Sequence, residues 1–293
     1  MKYAVIAAIV FMWTVLAFLY RLASKKDAAR NWVSVTAAFT WFALMFIVTA
    51  ALGADPRSAP AALFGVGAAG GIFAASVVPL FMAAVGRGNL AVSWTLLTLS
   101  FAAAALMSMI YPGTKANAAG VAGLFVAAIA IVLLGWDGAA TGAKGGFKRG
   151  WGILIALSFI TNAGALYVLP LGTAWSGMTT FEDKSAFFLA QTAVFFVLSA
   201  ALCILQPAGS GRLKGVLIGA AVGVVLFAGN YLSMMALGEL KVPAYVLFPS
   251  TSGGSTLSVA LISALFVGER PGRWGWAGLA VGLLAMVLLG GAA

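Results

Sequence analysis

Gly67-Ala68-Ala69-Gly70-Gly71 and Gly219-Ala220-Ala221-Val222-Gly223 are the two stretches on which the reading of this chain turns. They match at one constant offset, which continues through Leu80/Leu232, Met82/Met234, Ala84/Ala236 and Gly86/Gly238. Further on, Gly123-Leu124 through Val132-Leu133-Leu134-Gly135 matches Gly278-Leu279 through Val287-Leu288-Leu289-Gly290. Aliphatic matches mean little between Leu-rich segments, but glycines in register carry weight. Gly67/Gly71 and Gly219/Gly223 have the small-xxx-small spacing that lets helix backbones approach closely.

Composition says what surrounds these segments. Hydrophobic residues make up 63% of the 293 positions and charged residues 8%, against roughly a quarter charged in a soluble domain. Mean hydropathy is +1.07, so much of the surface must face lipid. Apolar runs bounded by charge, Gly or Pro predict ten membrane helices, at 3–22, 32–52, 62–85, 90–110, 116–136, 151–171, 185–206, 214–236, 243–265 and 272–291. Each is close to the ~20 residues that one crossing needs. The apolar run after Lys2 is long for a signal-peptide core and is expected to stay as the first helix.

The fold class expected is therefore an all-α polytopic membrane protein with two five-helix repeats, 1–136 and 151–293, joined by a linker at 137–150. Five is odd, so the second repeat enters the membrane from the opposite side and the repeat is inverted. Inverted repeats place a binding site near the midplane between the halves, open alternately to either side.

Several function classes fall away. The net charge of +10 could suggest nucleic acid, but the basic residues lie in short clusters between apolar runs, such as Lys25, Lys26 and Arg30. Basic loops at a membrane surface account for them, and no nucleic-acid partner is expected. By the spans above, Lys2, Arg57, Lys115, Lys184 and Lys241 share the face of the termini, and the other twelve Lys and Arg lie opposite. The positive-inside rule then puts both termini outside. Gly65-Val66-Gly67-Ala68-Ala69-Gly70 fits GxGxxG formally, but it lacks the preceding strand and the later acidic residue that a dinucleotide site needs. Cys203 is the lone cysteine and histidine is absent, so no disulfide, metal or cofactor is expected.

The seven carboxylates, Asp27, Asp55, Asp137, Glu182, Asp183, Glu239 and Glu269, all fall in loops or at helix ends by these spans. A carboxylate in mid-membrane is costly and usually marks a proton or cation path. A neutral or zwitterionic small-molecule substrate moved without a buried carboxylate is the better fit. Uncharged polar residues inside the spans are candidate pathway residues: Trp94 and Thr98 in the fourth helix, Asn162 in the sixth, Asn230 and Tyr231 in the eighth, and Ser252 and Ser255 in the ninth. Pro249 and the paired Gly253 and Gly254 are expected to weaken the ninth helix and free backbone groups to line a cavity. Trp32, Trp136, Trp151, Trp274 and Trp276 stand at helix ends, as in an interfacial belt. Trp13 and Trp94 lie deeper and are candidates for contacting substrate.

Leu261-Ile262-Ser263-Ala264-Leu265-Phe266-Val267-Gly268-Glu269-Arg270-Pro271, followed by Gly275 and Gly278-Leu279 to Gly290, resembles the end of the EamA module of the ten-helix drug/metabolite transporter superfamily. Ala236-Leu237-Gly238 running into Val242-Pro243-Ala244 resembles that module's eighth-to-ninth-helix junction, and Trp13 stands where the family commonly has a tryptophan. In the first half, Tyr111-Pro112-Gly113-Thr114-Lys115 replaces the Gly-Glu-Arg turn. The resemblance covers the chain as two modules. It implies a multi-pass transporter of the bacterial inner membrane that exports amino acids, aromatic ones among them, or other small metabolites. It further implies a cavity lined by the first, third, fourth, sixth, eighth and ninth helices, a structural role for Glu269, and both termini in the cytoplasm, against the charge count. The expected partners are the substrate and membrane lipid, in a monomer or weak oligomer. Proton-coupled drug efflux is the alternative. A membrane-embedded lipid-modifying enzyme is a weaker one, since no polar catalytic cluster or metal site is visible.

Overall fold

The computed structural model describes residues 2–25, 29–111, 118–142, 148–176, 178, 180–205, 211–238, 240, 242, 244–268 and 271–290. Ten α-helices make up the described chain: α1 (Lys2–Lys25), α2 (Arg30–Ala51), α3 (Ala61–Val85), α4 (Leu90–Ile110), α5 (Ala118–Gly142), α6 (Trp151–Ser176), α7 (Phe181–Leu205), α8 (Arg212–Gly238), α9 (Ala244–Ile262) and α10 (Arg273–Gly290). A short 3-10 turn, Pro56–Ser58, precedes α3, and a π-helical turn, Ser263–Val267, extends α9. Among the described residues, nine of these helices are long and apolar enough to cross a membrane, while the apolar stretch of α10, Arg273–Leu288, is shorter. The chain is a multi-pass helical membrane protein by this measure. In lipid a helix satisfies its backbone internally, which is why these apolar runs take this form.

The main helix pairings match when the two halves are exchanged, although α1 also touches α3 without a comparable α6–α8 contact. Helix α3 lies against α6 and α7, as α8 lies against α1 and α2. Helix α4 packs on α6, as α9 packs on α1, and the pairs α2–α7, α4–α9 and α5–α10 join the halves. One hydrophobic core runs through both, including Leu16, Phe81, Trp94, Phe187, Phe195 and Met286. Residues 1–136 and 151–293 therefore interdigitate.

Glycine explains two close crossings. A Cβ on Gly67 or Gly71 would collide with the carbonyl oxygens of Phe187 and Gln191 on α7. A Cβ on Gly219 or Gly223 would lie 2.6 Å from the carbonyl oxygens of Val33 and Ala37 on α2. The repeated glycines of α3 and α8 thus admit equivalent neighbours by equivalent means.

Several boundaries move, for tertiary reasons. Helix α5 runs on to Gly142, beyond the expected end at 136, and absorbs the start of the expected linker. Asp137 is consequently not a loop residue: it lies inside α5 and is 2% exposed. Its carboxylate accepts a hydrogen bond from the Gly272 N–H at 3.0 Å, at the entrance to α10, where a negative group also suits the helix dipole. Trp136 and Trp274 meet beside it with ring centroids 6.0 Å apart. Replacing Asp137 with Ala is expected to lower stability by about 1–2 kcal/mol, read as a fall in melting temperature in detergent.

Helix α7 begins earlier than expected, so Glu182, Asp183 and Lys184 form its first turn. The reason is a reciprocal cap: the Thr180 N–H donates to Asp183 Oδ2 at 3.0 Å and the Asp183 N–H to Thr180 Oγ1 at 3.1 Å. Asp183 is buried there. Helix α9 is continuous across Ser250–Ser255, contrary to the expected weakening. A Cβ on Gly254 would sit 2.8 Å from Val10 of α1, so this glycine serves close packing and its helix is held by its neighbours. The departure from α geometry comes later, at Ser263–Val267, and ends on Gly268 with φ +71°, a conformation that suits glycine. Lys26, Asp27, Pro112 to Lys115, Lys144, Glu239, Lys241, Glu269 and Arg270 lie outside the described residues.

Candidate functional site

Along the first half of α4 the polar side chains divide between two faces at helical spacing. Ser93 and Ser100, seven residues apart, face α6. Trp94 and Thr98, four apart, face α9. Each group finds a partner on the helix it faces.

On the α9 side, Trp94 is 4% exposed and its indole N–H donates to Ser255 Oγ at 3.4 Å. One turn further, Thr98 Oγ1 and Thr256 Oγ1 share a hydrogen bond of 3.0 Å. The Ser255 hydroxyl donates in turn to the Ser252 carbonyl at 3.1 Å, so Ser252 joins the cluster through its backbone while its side chain stays half-buried. Two helices at corresponding places in the two halves therefore meet through hydroxyls and an indole. Thr98 is eight residues into α4, or ~12 Å along it, which places this contact near mid-helix.

On the α6 side, Asn162 donates from Nδ2 to Ser100 Oγ at 2.7 Å and to the Leu97 carbonyl at 3.2 Å. Its position is fixed by interhelical bonding. Nearer the membrane surface, the Trp151 indole N–H donates to Ser93 Oγ at 3.0 Å. Trp151 is 6% exposed, so it is no part of an interfacial belt: α4 covers it and supplies its acceptor. Trp136, Trp274 and Trp276 do remain exposed. Replacing Asn162 with Ala is expected to cost about 1 kcal/mol, the scale of interhelical hydrogen bonds in membranes, with Ser100 still bonded to the Leu97 carbonyl. Thermal unfolding in detergent checks this.

The remaining candidates lie apart from that cluster. Trp13, half-buried on α1, lays its ring against Gly229 of α8, where a Cβ would approach to 2.9 Å. The side-chain N–H of Asn230 turns back to the Leu226 carbonyl of its own helix at 2.8 Å. Tyr231 stacks on Phe227, with centroids 5.6 Å apart. The structure thus brings Trp94, Thr98, Ser255 and Ser252 together, ties Asn162 to the opposite face of α4, and leaves Trp13, Asn230 and Tyr231 along α1 and α8.

Two aromatic residues were not anticipated. Phe81 meets Trp94 edge-on at 5.7 Å and Tyr20 at 5.8 Å, so a buried aromatic row runs from α1 through α3 to α4. No short-range signal announces it, because its members come from three helices. The pairing of Ser93 with Ser100 and of Trp94 with Thr98 was readable from helical periodicity alone. Among the described residues no group of three or more His, Cys, Asp or Glu could hold a metal.

The fold and this inter-helix polar cluster define the class: a polytopic α-helical membrane protein. No protein-family profile and no curated protein matches the chain. Solved structures do share its fold. One, described only as a crystal structure of a protein, superposes with a TM-score of 0.58 at 19% sequence identity, covering 98% of this chain and 96% of its own. At that identity the likeness is one of fold alone.

Proposed function

We propose that the chain is a secondary transporter in which ten crossing helices form two inverted five-helix repeats. It moves small neutral or zwitterionic metabolites, with amino-acid export as the leading case, and works by alternating access. The observation that carries this reading is the meeting of α4 and α9 through Trp94–Ser255 and Thr98–Thr256. Corresponding helices of the two halves touch there through polar groups, at the level where an inverted-repeat transporter holds its substrate. The exchange symmetry of the packing and the shared glycine crossings support the repeat. The resemblance to EamA modules supports export across a bacterial inner membrane.

Coupling to protons would need a titratable group within the pathway. Asp137 is a buried helical carboxylate, but it bonds to the entrance of α10, and the α4–α9 cluster is made of hydroxyls and an indole. Facilitated movement or exchange is therefore favoured over proton-coupled drug efflux. Uptake of a labelled amino-acid panel into proteoliposomes, with and without a pH gradient, tests both points. The expected result is saturable flux of some panel members that survives collapse of the gradient. Flux that vanishes with the gradient favours efflux coupled to protons, and flux no greater than in empty liposomes removes the amino-acid reading.

A further inference from the structure

The two halves differ in how their corresponding helices are held. Helix α4 is tied to α6 by side chains along its whole length. Near its start Ser93 accepts the Trp151 indole N–H at 3.0 Å, and midway Asn162 donates to Ser100 Oγ at 2.7 Å and to the Leu97 carbonyl at 3.2 Å. Just past its end the Tyr167 hydroxyl donates to the Tyr111 carbonyl at 2.8 Å, and the Trp175 indole N–H to the Tyr111 hydroxyl at 2.6 Å. Bonds of this kind fix one helix against another where lipid offers no polar competitor.

The corresponding contact, α9 on α1, is made differently. Val10 stands at the same offset from Asn162 as Gly67 from Gly219, and it meets α9 at Gly254, where a Cβ would lie 2.8 Å from Val10 Cγ2. Among the described residues, the hydroxyls beside this contact are engaged elsewhere. Thr14 donates to the Val10 carbonyl and Thr251 to the Leu247 carbonyl, each within its own helix, while Ser255 and Thr256 turn to α4. Beyond them α1 and α9 part around a groove of about 540 Å³, with Phe11, Phe18 and Leu22 on one side and Ile262 and Val267 on the other. Ile262 caps the π-helical turn and Val267 ends it, and such turns are frequent at functional sites. Ser263 Oγ, in the same turn, is buried with no hydrogen-bond partner among the described residues. A buried hydroxyl left unpaired marks a segment that a different geometry would satisfy better.

We propose that α9 is the moving member of the α4–α9 pair, and that α4 with α6 is the fixed frame it moves against. A swing of the far end of α9 toward α1 closes the groove and parts the α4–α9 contact, whose Trp94–Ser255 bond is already long at 3.4 Å. The equivalent movement of α4 breaks its bonds to Trp151, Asn162 and Tyr167. The conformational change is therefore asymmetric although the fold repeats. Its role in transport rests on the transporter reading above, but the motion itself is measured without flux.

The test uses the full-length protein with Cys203→Ser, in lipid nanodiscs, and measures distances between pairs of spin labels. One pair, on Ala7→Cys and Leu261→Cys, spans α1 and α9, and the other, on Leu106→Cys and Ile160→Cys, spans α4 and α6. All four positions are exposed, so the labels leave the packing intact. The α1–α9 distance distribution is expected to be roughly twofold wider than the α4–α6 one, as for a helix that moves against one that does not. Val267→Phe fills the groove, and should narrow the first distribution to the width of the second. In proteoliposomes the same variant should cut amino-acid flux about tenfold, because a blocked conformational step limits turnover. Equal widths in the parent overturn the proposal. So does an unchanged α1–α9 width in Val267→Phe, or undiminished flux in that variant where the parent transports. A parent without flux removes the transporter reading instead, and the two widths still decide whether α9 moves.

Discussion

Gly71→Ala and Gly223→Ala are each expected to destabilise the protein by about 3 kcal/mol, the upper end of the overpacking range. The reason lies in what the new methyl meets. On Gly223 it would lie 2.6 Å from the Ala37 carbonyl oxygen and 2.6 Å from Thr40 Cβ, and on Gly71 it would strike the Gln191 carbonyl and crowd Val194. A backbone carbonyl cannot swing aside as a side chain can, so the whole helix must retreat and its contacts along α2 or α7 are lost together. Gly65 and Gly152 are the controls, because nothing lies within 4 Å of a Cβ at either. Alanine there should change stability by no more than ~0.5 kcal/mol. Thermal unfolding in detergent measures all four. If Gly223→Ala melts with the parent, close approach of α8 to α2 is not what holds that pair.

Ser252→Phe is expected to cut transport by about tenfold or more, a cost of ~1.4 kcal/mol on the moving step, while the protein melts close to the parent. The sequence treats Ser252 and Ser255 alike, and the structure separates them. Ser255 is 1% exposed and accepts the Trp94 indole N–H. A phenyl ring there has no room and leaves that N–H without its partner, so folding and flux should fall together. Ser252 is only half-buried and takes part through its carbonyl, so a larger side chain there breaks no hydrogen bond of the α4–α9 contact. Flux in proteoliposomes compared with melting temperature, for both variants, decides the matter. Wild-type flux in Ser252→Phe would remove this face of α9 from the pathway.

Much of the fold was legible because lipid imposes a simple rule. A run of about 20 apolar residues in a bilayer has no option but the helix, and the expected spans match the helices to within a few residues at most boundaries. Two of the larger departures share a cause; a third, the run of α6 on to Ser176 past its expected end at 171, does not enter into it. Helix α5 extends past 136 because Asp137 and Trp136 have partners at the start of α10, and α7 starts early because Thr180 caps it through Asp183. Trp151 was misread for the same reason: a tryptophan at a helix end reads as interfacial until a neighbouring helix covers it and offers Ser93.

The candidate site was legible in part. Counting polar residues inside apolar helices found Trp94, Thr98, Asn162, Ser252 and Ser255, because such residues are few in a membrane and need partners. It could not assign those partners. Asn162 and Asn230 look alike in sequence, yet one crosses to Ser100 of α4 and the other bonds to its own helix at Leu226.

The amino-acid sequence by itself determined that the chain is helical and crosses a membrane many times, and it located the glycines in register. Those are properties of single segments in lipid, and they need no knowledge of neighbours. Only the tertiary structure decided what the glycines meet and that α4 touches α9 through hydroxyls and an indole. Each of these depends on the rotation and distance of one helix against another, which hydrophobicity leaves open because lipid and a neighbouring helix are equally apolar surroundings.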